Sequence, residues 1–278
     1  MVRSSRVFRF LCLVALAPAL ALAAAPAQAA DGSVNVLVIK EQGVGSAAQA
    51  QPYVDKLVAA AGKANGWAAT AGKYATTREA AEEFIHSADP HYGIMSLAAF
   101  LALRGKHKLE VLGKAEVSVA NGVEYHIISK TAADLAGCKG KTLASNHAED
   151  VRFADRVISG GNFVLADFTL VVTKRPVQTI KKVIAGEAEC ALIDDAQFAE
   201  LGKIEGSAGI RSVWKSAKLP PMVVVAFPAA PAAERATFKG ALAKVCNGEG
   251  KEACGEVGIK NLGVASNEYD AVIAAYGK

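Results

Sequence analysis

Val34-Asn35-Val36-Leu37-Val38-Ile39-Lys40 decides how the rest of the chain is read. It is a short apolar run rich in β-branched residues, with a charge at its end, and it reads as a buried strand. Apolar side chains at both parities mean that both faces of the strand are covered, as in a parallel sheet. A helix is expected next over residues 48–64, with Tyr53, Leu57, Val58 and Ala61 on one face. A second strand over 67–74 follows. Thr76-Thr77 then supply an N-cap for a helix that begins with Arg78-Glu79-Ala80, ends near Ala88 and is stopped by Pro90. Tyr92 to Ser96 is a third strand, leading into the apolar stretch from Leu97 to Leu103.

The alternation resumes further on. Tyr125–Ser129, residues 141–145, 168–173, 191–194 and 223–227 read as strands. Between them, helices are expected over 147–158, 177–185 (ending at Gly186), 196–201 and 231–245. A short helix capped by Thr131 and stopped by Gly137 is expected as well. Repeated strand–helix units imply an α/β fold, with mostly parallel sheets flanked by helices. Two sets of units imply two lobes, and open sheets of this kind bind ligands beyond the carboxyl ends of their strands.

Residues 1–29 read as a leader: Arg3, Arg6 and Arg9 precede an apolar stretch, and Ala27-Gln28-Ala29 gives a small-x-small cleavage signature. Cleavage is expected after Ala29, with export to the periplasm. Three of the positive charges behind the formal net charge of +4 leave with that segment. No basic cluster with interleaved aromatics remains, which argues against nucleic acid as a partner. Four cysteines remain after the leader, an even count that suits an exported, disulfide-bonded chain. Three pairings are possible, and buried free thiols are the alternative. Cys246–Cys254, bracketing a flexible loop, and Cys138–Cys190 are the expected bridges.

Catalytic and metal-binding signatures are missing. Gly140-Lys141-Thr142 looks like the end of a P-loop, but Leu135 stands where that motif needs glycine. There is no nucleophile elbow, no zinc-protease helix and no dinucleotide fingerprint. The expectation is a non-enzyme without a cofactor or metal.

Several segments, in order, resemble the phosphonate-binding family of periplasmic solute-binding proteins. They are Asp134 to Leu143 (DLAGCKGKTL), Val183 to Asp194 (VIAGEAECALID), Leu219 to Val225 (LPPMVVV), and Gly258-Ile259-Lys260 with Tyr269-Asp270. The resemblance implies a type II periplasmic binding fold with two hinge crossings. Residues 31–116 and 219–278 would form lobe 1, and 117–218 lobe 2. It also implies a monomer that carries a small ligand between its lobes to an inner-membrane permease of an ABC-type import system.

The family's hydroxyl-rich anion turn is replaced here by Ser145-Asn146-His147-Ala148-Glu149-Asp150, its histidine position falls near Lys174-Arg175, and a lobe-1 tyrosine position falls on Phe100. The candidate ligand set is therefore Gln42, Tyr53, Ser96 and Phe100 from lobe 1 and Ser145, Asn146, His147, Lys174, Arg175 and Asp194 from lobe 2. An apolar or lipid-like ligand against Phe100, Phe153, Phe163, Phe168 and Trp214 is one alternative, and a periplasmic sensor or interaction module is another.

Overall fold

The computed structural model describes residues 32–41, 46–117 and 122–278. The leader over 1–29 and the candidate Gln42 lie outside the described residues. The first half runs β1 (Ser33–Ile39), α1 (Ala47–Asn65), β2 (Ala69–Ala75), α2 (Arg78–Ala88), β3 (Tyr92–Met95), α3 (Leu97–His107) and β4 (Glu110–Val117). The middle runs β5 (Tyr125–Ser129), β6 (Thr142–Ser145), α4 (Val151–Phe153), β7 (Thr169–Val172), α5 (Pro176–Ile184), β8 (Cys190–Asp194), α6 (Asp195–Glu200) and β9 (Arg211–Lys215). The chain then returns through β10 (Met222–Ala226), α7 (Ala232–Val245), α8 (Gly250–Glu256), β11 (Ile259–Val264) and α9 (Asp270–Gly277).

Two sheets result, ordered β11-β4-β10-β3-β1-β2 and β7-β6-β8-β5-β9. Every residue of β1 is buried. Val34, Val36 and Val38 pack with Val54, Leu57 and Val58 of α1. Leu37 and Ile39 face the other way, toward Ala81 and Ile85 of α2 and Phe100 of α3. Fully burying each such aliphatic side chain contributes about 1.5–3 kcal/mol, so the alternation along β1 fixes which helices lie on which face.

Parallel pairing holds where strand–helix–strand units follow one another: β1 with β2 and β3, and β6 with β7 and β8. Elsewhere the sheets are antiparallel, so the expectation of mostly parallel sheets is corrected to mixed ones. β10 runs against β3 and β4, β11 against β4, and β5 against β8 and β9. The reason is connectivity: β10 re-enters the first sheet from the second and crosses it in the opposite direction.

The helix expected after Thr131 is replaced by turns and one 3-10 turn at Ala136–Cys138, because the Ser129 hydroxyl accepts from the Thr131 and Ala132 amides. The helix expected from 147 starts only at Val151, capped by Asp150, and continues as a π-helical turn through Ala154–Ile158. Gly186 does follow α5 in the left-handed region, at φ 72°. Strands β4, β9 and β11 and helices α8 and α9 lie in stretches for which no element was expected.

The sheets are joined by two adjacent connections. The Leu219 amide donates to the Val123 carbonyl at 2.7 Å, and the Tyr125 amide donates to the Ser216 hydroxyl at 2.9 Å. One apolar cluster extends from the α2–α3 side of the first sheet into the second, through Leu219, Phe153 and Tyr125. Both expected disulfides are present, Cys138–Cys190 and Cys246–Cys254. Among the described residues no helix is long and apolar enough to cross a membrane.

Candidate functional site

Chain order locates the site. In the first sheet, β1 is followed by β2 on one side and, through α2, by β3 on the other. The two crossovers diverge between the carboxyl ends of β1 and β3, leaving a crevice there. Lys40 and Ser96 are the residues at that point, held side by side by the Ser96 amide donating to the Ile39 carbonyl at 2.9 Å. The second sheet repeats the pattern: β7 lies on one side of β6 and β8 on the other. Its switch point carries Ser145, Asn146 and His147 after β6 and Asp194 at the end of β8.

These two points face each other. Burial lowers the Lys40 pKa, and the charge of Asp194 across the gap partly restores it. Among the described residues, no carboxylate is within ion-pair distance of the Lys40 ammonium. Beside it, the Ser96 hydroxyl is buried without a hydrogen-bond partner among the described residues. Ser96 also stands at the start of α3, which has no side-chain cap, so the first amides of that helix are open to an acceptor. An ammonium, a hydroxyl and a helix start therefore converge on the lobe-1 side, an arrangement suited to an oxyanion.

The lobe-2 wall is built differently. Asn146 is buried, and its side-chain oxygen accepts from Thr179 and from Gln197, both at 3.0 Å. Asp194 caps α6 by accepting from the Gln197 amide at 2.8 Å, while the Gln197 side chain accepts from the Asp194 amide at 2.9 Å. This reciprocal capping box leaves Asp194 Oδ2 free to face His147 Nε2 at 3.9 Å. The His147 ring packs edge-on against Tyr125, with centroids 5.1 Å apart. Burial lowers the His147 pKa, against the opposing effects of Asp194 and of the Gln197 hydrogen bond. The Tyr125 phenol is pushed well above its usual range by burial and then by Asp194, Asp195 and Glu41.

Serine, histidine and aspartate meet here, yet not as a hydrolytic triad. The Ser145 hydroxyl donates to the Leu192 carbonyl at 3.1 Å and accepts from the His147 amide at 3.0 Å. It braces the turn after β6, whereas a nucleophile would need its oxygen on the imidazole and open to a substrate. Among the described residues, no group of three or more His, Cys, Asp or Glu is arranged to hold a metal ion.

Of the expected ligand residues, Ser145, Asn146, His147 and Asp194 are brought together at the second sheet's switch point, and Ser96 lies at the first sheet's. Phe100 is close in sequence but fully buried, edge-on to Tyr269 in the shared core. Tyr53 is exposed on α1, beside the Lys56 ammonium, on the opposite face of the first sheet from α2 and α3. Lys174 and Arg175 are exposed in the loop before α5, beyond Thr173, whose amide donates to the Ser145 carbonyl. The aromatics offered for an apolar cavity pack on one another: Phe163 meets Phe168 and Trp214 edge-on, and Phe153 meets Tyr125. A hollow of about 610 Å³ lies elsewhere, between α6 and β9, lined by Phe198, Leu201 and Ile210.

Residues missed from the sequence are Lys40, Tyr125, Thr179 and Gln197. Gln197 had a readable signal, since Asp194 and Gln197 have the spacing of a capping box. The other three gain their place only through packing.

No family model matches the chain, and no curated protein does. Solved structures do match. XAC2383 from Xanthomonas citri, solved with chloride, superposes with a TM-score of 0.67 at 11% identity, over 88% of this chain and 98% of that one. The fold is that of a type II periplasmic binding protein. PhnD1 from Prochlorococcus marinus, in complex with methylphosphonate, shares the binding-protein fold with a TM-score of 0.64 at 10% identity, over 88% of this chain and 97% of PhnD1. The aliphatic sulphonate binding protein SsuA from Escherichia coli gives 0.56 at 12%, over 88% of this chain and 82% of its own.

Proposed function

We propose that this chain is the exported solute-binding component of an import system and holds a small polar ligand between its lobes. The carrying observation is the pairing of two walls: Lys40 and Ser96 at one switch point, His147 and Asp194 at the other. Lys40, the Ser96 hydroxyl and the start of α3 would receive an oxyanion on the ligand. Asp194 and His147 would receive a donor group on its far side. The lobes would be residues 31–116 with 219–278, and 117–218, closing about the paired connections at Val123 and Leu219.

Export is supported by the composition of residues 1–29 and by two disulfides, which persist in an oxidising compartment. A permease is the partner the fold would serve, with the chain acting as a monomer. Binding without turnover is supported by the engagement of Ser145 in bracing its own turn. The polar walls at the switch points, and the aromatics' packing on one another, favour a polar ligand over a lipid.

Thermal denaturation against small phosphonates, phosphate, sulfonates, carboxylates, amino acids and lipids tests the reading. A ligand at a hundred times its dissociation constant adds about 2.7 kcal/mol of stability. The expected hit is a small oxyanion or zwitterion that also compacts the protein by solution scattering. A lipid as the sole hit, or no hit with no change of shape, would discard the reading.

A further inference from the structure

One guanidinium and two carboxylates tie the lobes together beside the cleft. Arg78, the first residue of α2, forms an ion pair through Nε with Glu41 at 2.7 Å. Its Nη2 reaches Asp150 Oδ2, on the second lobe, at 2.7 Å. Arg78 is 30% exposed, Glu41 17% and Asp150 12%, so all three are partly removed from water. Burial raises the Glu41 pKa, with nearby Asp150 and Glu149 adding to it, while Arg78 opposes both. One guanidinium thus holds together carboxylates that would otherwise repel one another across the gap between lobes.

A second contact reaches the same carboxylate from a third element. Helix α9 leaves the first sheet after β11 and lies against the π-helical turn of the second lobe. Its Tyr276 hydroxyl is 3.4 Å from Asp150 Oδ2. The Tyr276 ring lies under the Arg152 guanidinium at 5.3 Å, and the Tyr276 carbonyl accepts from Arg156 at 3.5 Å. Asp150 is meanwhile tied to its own lobe, since its Oδ1 caps α4 by accepting from the Phe153 amide at 2.9 Å.

We propose that Arg78 and Asp150 form a latch that holds the two lobes together without a ligand, with α9 as the strap that reinforces it. Charge-assisted pairs shielded from water are the stronger class of hydrogen bond. Asp150 has one oxygen committed to its helix and the other to Arg78, so the lobes cannot separate without exposing both charges. The ligand-free chain then rests closed, and loading requires the Arg78–Asp150 pair to open first. Closure by this pair does not depend on which class of ligand the cleft takes.

Small-angle scattering and amide exchange on the ligand-free, disulfide-intact chain decide the matter. Asp150→Asn is the central variant, because asparagine keeps the cap on α4 and removes the charge. Asp150→Asn and Arg78→Met should each enlarge the radius of gyration, and the double variant should enlarge it no further. Exchange along residues 270–277 should speed up by about tenfold as α9 loses its seat, since such segments open locally. Tyr276→Phe should show a smaller effect in the same direction. Wild type already as extended as Asp150→Asn, or scattering unchanged in that variant, would overturn the latch. Should Arg78→Met fail to fold, Asp150→Asn decides alone.

Discussion

Lys40 and Asp194 face each other across the gap between two separate sheets, each at the point where its own sheet's crossovers diverge. The ammonium has no ion-pair partner within reach among the described residues, and the carboxylate caps its helix through one oxygen and faces His147 at 3.9 Å with the other. Removing either charge should therefore reduce ligand affinity more than it affects folding. Lys40→Met should weaken binding of an oxyanion ligand by about ten- to a hundredfold, the range of one to two lost charge-assisted bonds. Asp194→Asn should keep the α6 cap, because asparagine caps as well as aspartate. Titration calorimetry on both variants, with melting temperatures alongside, checks this. A stability loss matching the affinity loss would refute it.

The buried imidazole of His147 makes stability depend on pH. Its folded-state pKa is depressed by burial, below the ordinary value of 6.5 that the unfolded chain retains. The unfolded state therefore binds more protons just below pH 6.5, and stability falls as the pH drops through that window. Above about pH 7 the effect is absent. The slope is about 1.4 kcal/mol per pH unit at most for one proton. His126 shifts in the same direction through its own burial. Denaturant titrations between pH 5 and 8 should show the slope, and His147→Gln should flatten part of it.

The two bridges close loops of very different size. Cys138 and Cys190 are 52 residues apart, Cys246 and Cys254 only 8. Chain-entropy arguments give roughly 4 kcal/mol for the first and about 2.5 kcal/mol for the second. Replacing Cys138 and Cys190 by alanine together should lower the denaturation midpoint more than replacing Cys246 and Cys254. Equal losses would mean that packing around the sulfurs outweighs the loops.

Phe100 separates a packing role from a ligand role. It is fully buried against Tyr269. Phe100→Ala should cost about 3–5 kcal/mol. A ligand contact would instead leave stability near wild type and reduce affinity, and chemical denaturation beside titration calorimetry distinguishes the two.

Much of this was legible from local pattern. The β-branched run at β1 and the Gly186 stop after α5 each depend on neighbours a few residues away. Helix α2 was read from Thr76-Thr77 and the first turn that follows, and of the two it is Thr77 that caps it, its hydroxyl accepting from the Ala80 amide. β5 was bounded at the same residues, Tyr125–Ser129, because its apolar stretch is sharply flanked. Strands β4, β9 and β11 were not legible. Each carries alternating or exposed residues and is held by pairing with β10, β5 or β4, so its stability comes from partners far along the chain.

What the sequence by itself determined is the strand–helix alternation and the two lobes implied by it; the even set of four cysteines pointed to bridges, and the structure decided their pairing. The alternation and the lobes follow from side-chain volume, backbone preference and short-range geometry. Tertiary structure alone decided that the returning strand β10 runs antiparallel, that Phe100 is core while the Ser96 hydroxyl has no partner among the described residues, and that Lys40 comes within electrostatic reach of Asp194. Residues so far apart in the chain become neighbours only when two crossovers in each sheet diverge at the same end, and no local pattern of residue types encodes that meeting.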